Sequence, residues 1–479
     1  MIQVMKKIRE YIASIRRINN NRVFETIYVF CIALITSLFW ILGTMKIVPY
    51  YSSLVTLTLI AGVSLLLLND FKYFIPCVIS FIFANPDGYK SDAFPIPMLI
   101  CGFSLIGVLL IFTACNFKKL SFKNKNKSFI ALIYFAIFSF VPLIYHNLIT
   151  SEVKTLVFVY FSYILYLGIY VFFLANMNED SKHITFKSCE MIALICAFEC
   201  IAKVILMHQE DPTRPLLSMW YFLGWGLCNE AGIMICFGLP FLFMKTKSFS
   251  KWYQYIFFII ELALVIVGML VTTSRGTYLF GSILILILTI LSFVYSKHKI
   301  KYSLSIIISI IILLIGIELM FGLKDFVLEI IEEVFEKKLD SNGRYTLFDT
   351  AVKLWNDGLP SILFGKGWVA ERLKTMTYYG IQEGYMVYHS TFFETLACYG
   401  AIGVFVLIFH FYEKYKTLFK LEKFECFVLI AGFVLVDLYG MIDNTYHMYY
   451  YMLPLMVILA CVDTSHIYDN NFLDINVTS

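Results

Sequence analysis

Apolar runs of about 20 residues recur along this chain, and that pattern restricts its fold more than any motif. A helix of about 20 residues crosses ~30 Å of hydrocarbon. Inside lipid, backbone groups must be satisfied within a helix or a closed barrel. These runs lack the alternation of barrel strands, so the fold class is all-α, a polytopic helical membrane protein. Charge agrees: only 15% of residues are charged and 60% are hydrophobic, too little charge to clothe a soluble chain of 479 residues.

Spans are placed near 24–43, 51–68, 71–85, 96–115, 129–148, 155–175, 189–207, 220–244, 253–272, 277–295, 304–322, 391–411, 426–443 and 446–463, about 14 transmembrane helices (12–14). Residues 1–23 are basic and amphipathic, with Ile8, Ile12, Ile15 and Ile18 at helical spacing, and are expected on the cytoplasmic membrane surface. No small-residue cleavage site follows, so the first span is expected to be retained. The remaining segments are spans one to eleven (24–322), a large extracytoplasmic loop (323–390), spans twelve to fourteen (391–463) and a cytoplasmic tail (464–479). With both termini inside, the inner segments hold 24 lysines and arginines, from Lys6 to Lys423. The short outer loops hold five: Lys46, Lys90, Lys154, Arg214 and Arg275. That asymmetry supports the register, because one miscounted span would invert every later loop.

Residues 323–390 are too long for a plain connection and are expected to fold as a cap. Val327, Ile331 and Val334 share one face of a predicted helix from Phe326 to Leu339. A second is predicted from Arg344 to about Asn356, with Leu347, Ala351, Leu354 and Trp355 as its apolar stripe. The twelve cysteines include no CxxC pair, and such members as Cys31, Cys77, Cys196 and Cys236 fall inside apolar runs, which predicts neither a disulfide framework nor a zinc site. Walker, Rossmann and HExxH motifs are absent, as is a clustered carboxylate site in an outer loop. No metal, cofactor or nucleic-acid partner is expected.

Candidate functional residues gather on the outer side. Arg275 lies in TTSRGTYLF, a tight turn on the wrong side for a topology-setting charge. Its fork suits an anion, against the plainer reading of an arginine that snorkels to the interface. Ser274 flanks it. His389 opens span twelve in YHSTFFETLACYGAIG, with Glu394 about a turn further on. A lone interfacial histidine is more often a polar anchor, but this one could take a proton from a sugar hydroxyl. Arg344 starts a helix and could instead pair with Asp340 or Asp349; Arg214 could pair with Glu210 or Asp211. Lys203, Asn229 and Glu230 lie in the outer halves of spans seven and eight, where ionisable groups need a cavity or each other, a Lys203–Glu230 pair being the plain alternative. Asp437, Asp443 and His447 add polar groups around the last outer turn.

With these residues in hand, the chain resembles the O-antigen ligase and polysaccharide polymerase superfamily. GLCNEAGIMICFGLP is similar to the family's Asn-x-x-small span and TTSRG to its Ser-Arg-Gly turn. NGRYTLFDTAVKLWNDGLPSILFGKGW resembles its Arg…Trp…Pro…Gly-x-Gly loop. His389-Ser390, nine residues, then Gly400-x-x-Gly403 fits the ligase pattern. The resemblance covers roughly residues 215–411. It implies a membrane glycosyltransferase that moves a glycan from a polyprenyl-diphosphate carrier to an acceptor hydroxyl at the outer face of the bacterial cytoplasmic membrane. Inversion, without metal or nucleotide sugar, is the family's habit. On this reading Arg275 and Arg344 bind the diphosphate, with Arg214 and Lys203 as local additions. His389 is the base, and Asn229, Glu230, Ser274 and Glu394 support the site. The implied partners are a polyprenyl-diphosphate-linked oligosaccharide, membrane lipids and a chain-length regulator. An O-antigen or capsule polymerase is the preferred reading and a ligase the alternative. A lipid-linked glycan flippase is the alternative of another class, disfavoured because the chain shows no repeated halves.

Overall fold

The computed structural model describes residues 22–475, except 69, 87–95, 117–126, 140–152, 179, 213–220, 333–343 and 368–387. A helix stands at each of the fourteen predicted span positions. Six are long and apolar enough to cross a membrane: Arg22–Thr44, Cys228–Ser248, Trp252–Val271, Thr277–Tyr295, Lys299–Leu319 and Thr391–Leu418. Shorter apolar helices occupy most of the other positions. Among the described residues the one extended feature is an isolated bridge between Phe222 and Leu227. The protein is an all-α polytopic membrane protein.

Several boundaries differ from the expectation: the predicted span 220–244 is helical only from Cys228, and the one at 391–411 runs on to Leu418. The helix Ser181–Glu210 begins before the predicted span 189–207, because its polar first turns are matched by partners. Glu190 is held by Lys187 at 2.7 Å and by Lys245 at 2.6 Å. The last helix, Tyr449–Ile475, runs on past residue 463 into the expected tail. In the loop, the helix Leu323–Ile330 covers the start of the first predicted amphipathic helix, and Arg344–Trp355 matches the second. The break at Ser341-Asn342-Gly343 lies outside the described residues.

The chain divides into two compact units. One takes residues up to Phe122, residues 175–330 and those from Thr464. Its centre is the helix Ser181–Glu210, against which Cys228–Met244, Trp252–Val271 and Arg22–Thr44 pack. Small residues make that approach close: a Cβ on Gly238 would lie 2.6 Å from the Ala193 nitrogen, and one on Gly268 2.4 Å from the Ala197 Cβ. Several charges inside this unit are paired. The buried Lys72 reaches Glu25 at 2.7 Å, and His183 meets the other Glu25 oxygen at 2.7 Å. Ahead of Cys228, residues 221–227 form a hairpin that buries Tyr221, Leu223 and Trp225, closed by Leu223 N–H donating to the Gly226 carbonyl at 2.8 Å. Trp40 and Asn85 donate to the hairpin's Leu223 and Gly224 carbonyls, each at 2.9 Å. The hairpin's own Trp225 indole donates to Glu199 at 2.7 Å. Non-helical backbone is thereby satisfied by side chains from neighbouring helices.

The other unit comprises residues 123–174 and 331–463. Thr391–Leu418 is its spine, with Ser128–Phe138, Arg344–Trp355, Leu359–Phe364 and Lys423–Gly440 packed on it. Leu347, Ala351 and Leu354, three of the four residues of the predicted stripe, join Tyr388 and Ala397 in one buried cluster. Trp355, the fourth, donates its indole N–H to the Ile362 carbonyl at 2.9 Å and fixes the following turn. The spine kinks at Gly400 (φ 66°, ψ −166°). Gly365 (φ 71°) crosses it there, so close that an added Cβ would lie 2.3 Å from the Cys398 carbonyl carbon. Deeper in this unit Lys414 is buried against Asp437, whose other oxygen accepts from Tyr451 at 2.9 Å.

Candidate active site

The second unit brings three candidates together at the start of the spine helix. Ser390 caps that helix by accepting the Phe393 N–H at 3.4 Å. Glu394, buried on the first turn, reaches back to accept the Tyr388 N–H at 2.8 Å. His389 sits between these two anchors with φ 49°, a left-handed conformation that non-glycine residues seldom adopt. The bend turns its ring toward the turn after Gly440, where its Nδ1 lies 3.1 Å from Asp443 Oδ1.

Asp443 is the hub. Its Oδ1 also accepts the Asn444 N–H at 2.9 Å, and Arg344 Nη2 stands 3.8 Å from its Oδ2. Arg344 Nη1 donates to the neighbouring Ile442 carbonyl at 2.6 Å. The helix Arg344–Trp355 is held for this by the Leu347–Ala351–Leu354 cluster and by Phe348 stacked on Phe393, ring centroids 4.4 Å apart. Of the partners suggested by its sequence neighbourhood, Asp349 is not the one that Arg344 meets; Asp443 is. Asp349 is taken by Lys353 at 2.5 Å, and Asp340 lies outside the described residues. The Asp443 carboxylate is 5% exposed, whereas the His389 and Arg344 side chains keep 29% and 28%. A shielded acid thus backs two side chains that solvent or substrate can reach. With Nδ1–H donating to Asp443, the lone pair lies on Nε2, the arrangement that suits an imidazole to abstract a proton.

The first unit holds the other group. Thr272 ends the helix Trp252–Val271, and Thr273 turns the chain through a left-handed φ of 53°. Ser274 then caps the next helix, its Oγ accepting the Thr277 N–H at 3.4 Å. Arg275 is the first residue after this cap and is half-buried. A guanidinium in the first turn of a helix combines two anion-favouring features, its own charge and the positive end of the helix dipole. Gly232 explains why the Asn-Glu-Ala-Gly span fits beside the turn: an added Cβ there would lie 1.7 Å from Thr277 Oγ1. In that span Asn229 and Glu230 are half-buried, and the Glu230 carboxylate accepts the Leu227 N–H at 2.6 Å. Lys203 is half-buried on Ser181–Glu210. Arg214 lies outside the described residues.

Asp443 is the contact sequence reasoning did not make. It stood among the polar groups of the last turn, but 54 positions separate it from His389, and no spacing rule links a loop residue to one so distant. Only the side-by-side packing of helices at Gly440 brings the two together. There an added Cβ would lie 3.2 Å from Thr391 Oγ1.

Residues 260–408 match a family model described as O-Antigen ligase. No match among curated proteins is found. The matched stretch contains Ser274, Arg275, Arg344, His389, Glu394 and both Gly365 and Gly400, whereas Lys203, Arg214, Asn229, Glu230 and Asp443 lie outside it. Its description agrees with the resemblance read from the motifs and with the helical membrane fold. Residues 260–408 are thus similar to the O-antigen ligase family, within a chain that is a helical membrane protein.

Proposed function

We propose that this protein is a polysaccharide polymerase, extending an O-antigen or capsule glycan carried on a polyprenyl diphosphate. The observation that carries the reading is the His389–Asp443–Arg344 cluster: a base, its orienting carboxylate and a cation side by side. In the proposed step the acceptor hydroxyl attacks the anomeric carbon, and His389 takes the hydroxyl proton. The new C–O bond forms as the C–O bond to the carrier diphosphate breaks, with inversion at the anomeric carbon. The carrier diphosphate leaves with the bonding pair, its charge met by arginine. Arg344 is proposed for this beside His389, and Arg275 as a diphosphate ligand at its helix N-terminus. Lys203 and Arg214 are further diphosphate ligands on this reading, and Asn229, Glu230, Ser274 and Glu394 are supporting residues.

The chain is further proposed to lie in a bacterial cytoplasmic membrane with both ends inside. Reporter fusions at residues 1 and 479 test this: a periplasm-active reporter that works at either end contradicts it. For the reaction, purified protein is given a polyprenyl-diphosphate oligosaccharide in liposomes, without nucleotide and with a chelator. Longer carrier-linked chains support the polymerase. Transfer only to an added lipid A core points to the ligase, and relocation of the substrate with no new glycosidic bond to a flippase.

Arg275→Ala is expected to cost roughly a hundredfold in kcat/KM, the effect of one or two charge-assisted hydrogen bonds. Arg275→Lys should recover part of it, since lysine keeps the charge and loses the two-pronged geometry. Parent-level kcat/KM in the folded alanine variant would remove Arg275 from the site.

A further inference from the structure

Beneath Asp443 lies a buried hydroxyl and imidazole network that the proposed chemistry does not use. Thr391 Oγ1 accepts the backbone N–H of Thr445 at 3.2 Å and of Tyr446 at 3.4 Å, and its own proton points to Asn444 Oδ1 at 3.5 Å. One turn on, Thr395 Oγ1 donates to the Thr391 carbonyl at 2.7 Å and lies 2.8 Å from His447 Nε2. Because the Thr395 proton is engaged, the Nε2 proton of His447 is the donor in that contact. His447 Nδ1 then accepts from the Tyr163 hydroxyl, and the ring stacks on Tyr399 with centroids 5.8 Å apart. Tyr450 closes the far side by donating to the Asn444 carbonyl at 3.0 Å. Thr391 and Thr395 are 1% or less exposed and His447 is 7% exposed, so none of the three is placed to meet a substrate.

Their common effect is geometric. The bonds of Thr391 to residues 444–446 and of Thr395 to His447 join the turn 443–447 to the first two turns of the helix that Ser390 caps, and Tyr163 and Tyr450 brace the same turn from other helices. We infer that Thr391, Thr395 and His447 are positioning residues, a staple that fixes the Asp443 carboxylate against the His389 ring. The staple ties the two sides of the 3.1 Å contact to one rigid element. A shift of about 1 Å would break it, since hydrogen bonds fail beyond ~3.5 Å. Its functional meaning rests on the proposed role of His389, but its existence does not, and the test keeps the two apart.

The test reads the His389–Asp443 contact directly. The full-length protein in detergent, with ring-13C histidine, is titrated by NMR, and the His389 signal is assigned by its loss in His389→Gln. Asp443 lies against this ring, and Arg344 reaches the same carboxylate. A carboxylate favours the imidazolium, so Asp443→Asn lowers the titration midpoint. Thr391→Val is expected to lower it by at least half as much, and Thr391→Ser, which restores the hydroxyl, to return it to the parent value. Adding Thr391→Val to Asp443→Asn should produce no further change, because the staple acts only through the carboxylate. If Thr391→Val does not fold, His447→Gln stands in for it, with a smaller shift of the same sign. A midpoint unmoved in a folded Thr391→Val or His447→Gln protein overturns the inference, as does a shift that serine fails to reverse. Undiminished glycan transfer by His389→Ala would overturn the proposed chemistry and leave the staple standing.

Discussion

The His389→Ala protein should transfer glycan roughly 10²–10⁴-fold more slowly than the parent, the usual contribution of a placed general base. The loss should fall on the chemical step. His389 is half-exposed and lies at the mouth of the helix, and the anion-binding role is assigned to arginines, so the donor should still bind. Stability should change by only about 1 kcal/mol, the net worth of one hydrogen bond. Asp443 is not stranded by the change, because it keeps the Asn444 N–H and the nearby Arg344. Single-turnover kinetics on a polyprenyl-diphosphate oligosaccharide, with melting followed in parallel, separates the two effects. A rate within threefold of the parent means that proton transfer is done elsewhere.

The second large effect is expected in the fold. Gly365→Ala should destabilise the protein by about 3–5 kcal/mol, summing the left-handed backbone penalty with overpacking. Both contributions are visible at this residue. Its φ is 71°, and a Cβ would lie 2.3 Å from the Cys398 carbonyl carbon and 2.4 Å from the Tyr399 nitrogen. Those are backbone atoms of the spine helix and cannot swing aside. Across the same contact, a Cβ on Gly400 would lie 2.5 Å from the Leu363 carbonyl carbon. The two glycines are halves of one crossing, so Gly400→Ala should cost a similar amount and the double variant less than the sum. Thermal melting in detergent checks this. A Gly365→Ala protein that melts with the parent would mean the crossing is loose.

This crossing also shows what kind of information the motifs carried. In the sequence, the Gly-x-Gly of the loop and the Gly-x-x-Gly of the helix carry the family resemblance, and Gly400 and Gly403 are residues small enough for a close approach. In the structure the first glycine of each pair lets two backbones touch, and Trp355 and Pro360 shape the turn that delivers Gly365. Helix positions were legible for a simple reason: hydropathy is a local property, and a run such as 304–322 announces itself whatever surrounds it. The amphipathic stripe Leu347, Ala351, Leu354 was legible for the same reason. Pairings were not. Arg344 has Asp349 close by in sequence, yet the helix periodicity hands Asp349 to Lys353 and turns Arg344 toward Asp443. Buried polar residues, such as Thr391 and Thr395 in the spine helix and His447 in the last turn, leave no periodic trace that separates them from ordinary filling. Their meaning resides in which helix lies alongside.

The left-handed turn at His389 has a consequence for how this protein can change. A side chain at φ 49° carries a penalty of roughly 1–2 kcal/mol that glycine would not. His389→Gly should therefore melt at or slightly above the parent temperature, since relief of the backbone offsets the lost contact with Asp443. On the proposed role of His389, any such gain would come with an inactive protein. Selection for stability alone would then erase the proposed base, and selection for glycan transfer would hold it in place. The site is a point where folding and function pull on the same codon in opposite directions.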